Sequence, residues 1–468
     1  MVILMVNNKV HVCIIDNGVF CGQVHLYKNM EVVGNEIRLV ISESDKLSHG
    51  SSCAKVIEAN IEKSYELSSI TILDSYGKGE VGSLLLALEW CKNNAVDIIN
   101  LSLGSTYFKD RRLLQEIINE CAYSGLIIVA ALSNSGFATY PAGFTNVIAV
   151  RKSDVLKRRE YKVNYSAGLG FGIVETYGSD TVLVDGKMHQ TRASNSIATP
   201  YVTSKIADIY FKGITPFYIR RFFSQEQIDI NCFYVDWIRT AYLSHVQLPS
   251  RICSFCVSDD LDSSDTVILG EMDNIEHYLD AGKNIIYLGN DKLEMTSDHC
   301  YIWSRYNRER QIELNSYTDN EDIEIPVIFV KGCDSLNKVR ELCRKMIEQD
   351  YNAYGITDKI VGELIGLRYI PVEKKKGTDI KKYICSEIFY GQYDILICDL
   401  GNYSKEDIQT EICIEPDVYI YADDAEISVY SEEESKVFKK IKGIPEQYII
   451  ELLTSCLLYT SPSPRDRG

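Results

Sequence analysis

The chain of 468 residues is 46% hydrophobic and 25% charged, which excludes a disordered or fibrous polypeptide and leaves room for two or three globular domains. Its 49 Lys and Arg stand against 66 Asp and Glu, a formal charge of −17. That balance argues against nucleic acid as a bulk partner and suits a neutral or mildly cationic peptide better.

The start, MVILMVNNKV, has no basic n-region, no long apolar h-region and no small-residue cleavage site, so no secretory signal is expected. No run of about 18 apolar residues follows anywhere, so no membrane span is expected either. The apolar stretch VHVCIIDNG reads as a buried parallel strand whose carboxyl end delivers Asp16 into a crevice. HGSSCAKVI opens a helix with His49, and its small residues allow tight packing behind the imidazole. The segment from Ser68 to Ser105 alternates strand, glycine turn, helix and strand, and ends in Ser102-Leu103-Gly104. LIIVAALSNSG is a further strand that leads into Ser133 and Asn134. SNSIATPYVTS reads as a turn entering a helix, with Ser196 beside backbone N–H groups and Pro200 in the first turn.

Asp16, His49 and Ser196, in that order and in those local settings, resemble the subtilisin-like (subtilase) serine peptidases. The resemblance runs from about Lys9 to about Phe223 and implies a subtilisin-like parallel-sheet domain with helices in three layers. It also implies roles. His49 takes the proton of Ser196 and returns it to the leaving amine, while Asp16 fixes the imidazole tautomer. Asn134 and the Ser196 N–H stabilise the oxyanion. Ser102, Leu103 and Gly104 pair with an extended substrate, and Ser133 lies beside it. YPAGFTNVIAV walls the first specificity pocket. The chain departs from the family's usual pattern at Ser194-Asn195, where Gly-Thr is usual, at Ile197, and at Leu132-Ser133 before the oxyanion asparagine. The catalytic strand begins almost at once, so a pro-domain of the kind many secreted relatives carry is not expected.

Two helices, in TPYVTSKIADIYFKG and TPFYIRRFFSQEQ, are expected to close this domain, giving boundaries of 1–230 for the peptidase domain and 231–251 for a connector. From 252 to 455 short apolar runs alternate with helical stretches, a second α/β domain. Within it IPVIFVKGCDSLNKVRE resembles a degenerate phosphate-binding loop, with Gly332 and Lys338 as phosphate contacts, and YDILICDLG offers Asp399 as the acidic partner. Val339 stands where a magnesium-binding hydroxyl belongs, and the alternative is a strand-loop-helix unit that binds no nucleotide. After about Ser455 the tail, 456–468, changes composition abruptly and resembles translated adapter sequence, so it is set aside as non-native.

The 15 cysteines are spread through apolar segments, as reduced core thiols would be, which points to the cytoplasm. Cys253 and Cys256 form the only CxxC and there is no HExxH, so neither metal nor other cofactor is expected. The expected protein is a cytoplasmic serine endopeptidase acting on a peptide or protein, by limited cleavage such as leader removal during peptide maturation. The alternative is a silent peptide-binding module of the same fold. The sequence sets no oligomeric state.

Overall fold

The computed structural model describes residues 9–20, 24–40, 47–184, 187–225, 234–248, 253–314, 322–332, 334–372, 377–401, 403, 408–422, 426–431, 435–439, 449–451 and 454. The expected tail at 456–468 lies outside them. The chain divides into two compact units, one made of Met1–Thr106, Asp110–Ser166 and Phe171–Ile230, the other of Tyr107–Lys109, Ala167–Gly170 and Asn231–Gly468.

The first unit is built on β1 (Val10–Asp16), β2 (Lys28–Val33), β3 (Glu36–Leu39), α1 (His49–Asn60), β4 (Tyr65–Thr71), α2 (Val81–Asn93), β5 (Ile98–Leu101), α3 (Phe108–Tyr123), β6 (Ile127–Ala131), β7 (Val147–Ser153), β8 (Tyr161–Ser166), β9 (Phe171–Tyr177), β10 (Thr181–Val184), β11 (Lys187–Gln190), α4 (Asn195–Tyr210) and α5 (Pro216–Gln225). Nine strands form one sheet in the order β3-β2-β4-β1-β5-β6-β7-β9-β8. Only the hairpins β2/β3 and β8/β9 at its two edges are antiparallel.

All seven residues of β1 are buried, as a central parallel strand covered on both faces requires. Its alternation assigns the faces. Val10, Val12 and Ile14 share a core with Val56 and Ile57 of α1, Ile197 and Ile206 of α4, and Phe223 of α5. Cys13 points the other way, to a hydrogen bond with Cys91 of α2. The result is the three-layer α/β arrangement expected. α1 can approach the end of β1 because Gly50 has no side chain: a Cβ there would lie 2.5 Å from the Gly18 carbonyl oxygen.

The second unit holds two sheets where one α/β domain was expected. Five parallel strands, β12 (Thr240–Ser244), β13 (Cys256–Ser258), β14 (Thr266–Leu269), β15 (Asn284–Tyr287) and β16 (Ile302–Ser304), with α6 (Ile275–Asp280) and α7 (Arg305–Leu314), make the first, in the order β13-β12-β14-β15-β16. The stretch 231–251 is therefore not a plain connector. β12 lies within it and pairs on both sides, and its aromatic residues Tyr234 and Trp237 are buried.

The second sheet comprises β17 (Val327–Gly332), α8 (Ser335–Glu348), β18 (Ala353–Thr357), β19 (Arg368–Tyr369), α9 (Gly377–Gly391), β20 (Ile395–Asp399), β21 (Val418–Ala422), β22 (Glu426–Ser431) and β23 (Ser435–Lys439). Its seven strands run in the order β19-β18-β20-β17-β21-β22-β23. Parallel pairing from β19 to β21 gives way to antiparallel pairing at β22 and β23.

Candidate active site

Asp16 ends β1 and is 1% exposed. Its Oδ1 accepts the Asn17 N–H at 2.7 Å, and Asn17 Oδ1 accepts the Gly50 N–H at 2.9 Å, so the carboxylate and the first turn of α1 are tied together. Ser48 caps α1 by accepting the Ser51 N–H, and its own hydroxyl donates to the Gly18 carbonyl at 2.6 Å. This local frame aims His49, whose Nδ1–H donates to Asp16 Oδ2 at 2.8 Å and Oδ1 at 3.0 Å. An ionised carboxylate can only accept, so Nδ1 carries a proton, and Nε2 is an acceptor whenever the ring is neutral. Ser196 Oγ lies 3.0 Å from Nε2. The structure thus brings the three residues into one hydrogen-bonded line across segments 33 and 147 residues apart.

Ser196 is the second residue of α4, capped by Ser194, whose Oγ accepts the Ile197 N–H. The Asn195 N–H donates to Asn134 Oδ1 at 2.9 Å, and the Ala198 N–H to the Ser194 carbonyl. Among the described residues of that turn, this leaves the Ser196 N–H as the donor without an acceptor. Holding Oδ1 of Asn134 orients its amide and makes Nδ2 the group available to a ligand oxygen. The Ser194 hydroxyl is also 2.8 Å from Ser196 Oγ, a second neighbour that the usual glycine could not supply.

Pro200 lies one turn further into α4 than expected, at its sixth residue rather than in the first turn. Proline has no N–H for the carbonyl four residues back, which is that of Ser196. Ser102 supplies the missing donor, its Oγ bonding the Ser196 carbonyl at 2.8 Å. Its side chain therefore holds the nucleophile's backbone. Leu103 and Gly104 follow beyond the end of β5, half-buried and exposed respectively.

Ser133 is held by its neighbours on three sides. Its N–H donates to Thr139 Oγ1, its carbonyl accepts from Asn195 Nδ2, and its Oγ accepts the Ser135 N–H. Those bonds stiffen the turn that presents Asn134.

Two residues with larger parts were missed. Asn195 donates from Nδ2 to the Leu132 and Ser133 carbonyls and accepts the Lys152 N–H, fastening α4 to β6 and β7. The departure from threonine at this position was its sequence signal. Cys53 sits one turn after His49 with Sγ 3.9 Å from Nδ1 and 3.4 Å from Ser102 Oγ. Cys53 is the largest of the causes that raise the His49 pKa to about 11, helped by Asp16 and opposed by burial.

The expected phosphate-binding loop is not formed. β17 ends at Gly332 and α8 begins at Ser335, so Lys338 and the residues just before it lie in a helix rather than in a loop that wraps a phosphate. Gly332 is glycine because, at φ 131°, a Cβ would meet the Ala422 carbonyl oxygen at 1.8 Å. Lys338 is buried on α8 and faces Glu341 at 3.6 Å. Asp399 does end a buried strand, but Lys359 Nζ occupies its Oδ2 at 2.9 Å and lies 3.4 Å from Ser335 Oγ.

The subtilase family model matches residues 7–232, so this region is a subtilase domain. The chain is 32% identical over 181 residues to Subtilisin Savinase from Lederbergia lenta, covering 36% of this chain and 64% of that protein. It is 29% identical over 226 residues to Subtilisin DY from Bacillus licheniformis, covering 44% and 77%. Among solved structures, an S41 psychrophilic protease is similar at 18% identity and TM-score 0.38, over 45% of this chain and 81% of that one. The chain spans less than two thirds of the length of Subtilisin Savinase.

Proposed function

We propose, taking residues 7–232 as a domain of the subtilase family, that the chain is a serine endopeptidase. The line Asp16–His49–Ser196, with 2.8 Å and 3.0 Å at its two joints, carries this reading. Ser196 Oγ attacks the peptide carbonyl as its proton passes to His49 Nε2. Asp16 stabilises the imidazolium, and the Ser196 N–H with Asn134 Nδ2 receives the oxyanion. Nε2–H then protonates the leaving amine, and water, activated by the same nitrogen, releases the acyl group from Ser196.

The finer reading is limited cleavage of a particular peptide inside the cell, leader removal being one form of it. The buried thiols of Cys13, Cys91, Cys121, Cys343 and Cys398 support a reducing compartment. Among the described residues no helix is long and apolar enough to cross a membrane. Incubating the protein with a defined peptide mixture and reading new termini by mass spectrometry tests the activity. Cleavage at a few sites by the wild type and none by Ser196→Ala is expected. Equal cleavage by both would show that Ser196 is not the nucleophile, and no cleavage by either would favour a silent peptide-binding cleft.

A further inference from the structure

Cys53 follows His49 by one helical turn, so both side chains leave the same face of α1 toward the end of β1. One carboxylate oxygen of Asp16, Nδ1 of His49 and Sγ of Cys53 all lie within 4.8 Å of one another. Nδ1 is 2.8 Å from Asp16 Oδ2 and 3.9 Å from Sγ. Donors sharing one zinc ion, each at about 2.0–2.3 Å from it, are roughly 3–4 Å apart. The Nδ1–Sγ separation already falls in that range. The carboxylate oxygen, now at hydrogen-bond distance from Nδ1 and within 4.8 Å of Sγ, needs only a shift of a few tenths of an ångström from Nδ1 to join them, with a fourth position left to water.

We propose that Asp16, His49 and Cys53 bind a thiophilic divalent cation of the zinc type, and that its binding switches the triad off. The first half stands on geometry alone; the second rests on the proposed peptidase reading. The donor set is one thiolate, one imidazole and one carboxylate, which favours zinc or cadmium over calcium or magnesium. Cys53 is buried, but the His49 side chain is 35% exposed, so the imidazole edge is the way in.

Binding needs the Nδ1 lone pair. Nδ1 and the Cys53 thiol give up their protons to solvent, the ion takes the place of the hydrogen bond to Asp16, and Nε2 holds the ring's one remaining proton. Nε2 then carries hydrogen and can no longer accept the Ser196 proton. Inhibition would follow without any blockage of the substrate cleft.

Ser196→Ala protein, which keeps all three ligands, is titrated with Cd2+, and the ultraviolet thiolate-to-cadmium band is read. One equivalent that Zn2+ displaces, lost when Cys53→Ala is added and weakened about 10–100-fold by Asp16→Asn, is the expected result. A band unchanged by Cys53→Ala would place the cadmium on other thiols and overturn the site. In the wild type, Zn2+ should stop peptide cleavage and a chelator restore it. Cys53→Ala, whatever its own rate, should need about tenfold more Zn2+ or higher for half inhibition. Equal sensitivity of wild type and Cys53→Ala would overturn the switch. A Cys53-dependent band in a protein that cleaves nothing would leave the site standing and refute the peptidase reading instead.

Discussion

Two aspartates, one in each unit, end buried parallel strands and reach a serine in the first turn of a helix through a single base. In the first unit the order is Asp16, His49, Ser196; in the second it is Asp399, Lys359, Ser335. The arrangement of parts is shared, but the chemistry is not. An imidazole held by a carboxylate through one nitrogen keeps the other free to accept a proton, whereas an ammonium donates on every side and has nothing to accept with. Lys359 therefore neutralises Asp399, and Ser335, 1% exposed, has neither a base nor access. A buried Asp at a strand end is a place the parallel sheet offers repeatedly. The group set beside it decides whether the place does chemistry or holds structure.

Exchanging the outcomes tests this contrast most severely. Ser196→Ala should lower kcat by roughly 10⁴- to 10⁶-fold while peptide binding persists. Ser335→Ala should leave turnover unchanged, and steady-state kinetics on the same peptide compare the two. Asn134→Ala should lower kcat by about 10²–10³-fold with little change in KM, because its amide serves the oxyanion more than the ground state.

The pH profile tests the one competent base, His49, next. Attack needs neutral His49, and a pKa raised to about 11 keeps the imidazolium predominant below that value. kcat/KM should therefore climb through the alkaline range. Cys53→Ala removes the largest cause of the shift and should move the rising limb toward the ordinary histidine value of 6.5. A limb that stays in place would show that Cys53 does not set it.

The smallest expected effect lies in the second unit. Lys359→Met leaves the fully buried Asp399 carboxylate without its counter-charge, with only the Thr357 hydroxyl, among the described residues, at 3.3 Å on Oδ2 and with Oδ1 already lacking a partner. Breaking a wholly buried pair costs about 3–5 kcal/mol. The Lys359 side chain is 44% exposed, so solvent screening reduces the expected loss to on the order of 2 kcal/mol, read from urea unfolding.

The first of these sites was legible in the sequence and the second was misread, for a physical reason. Asp16, His49 and Ser196 each sit in a local pattern with one geometric solution: a strand end, a helix start, a capped turn. Gly332 and Lys338 matched a spacing, but the spacing carries no record of where the helix begins. With α8 starting at Ser335, the glycine serves the close approach of Ala422 and the lysine lies along the helix. That the Ser102 side chain serves the Ser196 carbonyl was not read, because the missing N–H of Pro200, almost a hundred residues on, matters only once both are folded. Asn195 was visible as a departure, yet its three side-chain bonds reach β6 and the Lys152 backbone through tertiary contact alone. The aromatic stretch before residue 251 looked like a connector because short strands such as β12 carry too few residues for alternation to show.

The most direct test of the account is to expose wild type, Ser196→Ala and Ser335→Ala protein to a fluorophosphonate and map adducts by intact-mass and peptide mass spectrometry. One adduct, on Ser196, in wild type and Ser335→Ala, and none in Ser196→Ala, is the predicted result. An unlabelled, well-folded wild type, or an adduct that persists without Ser196, would contradict it.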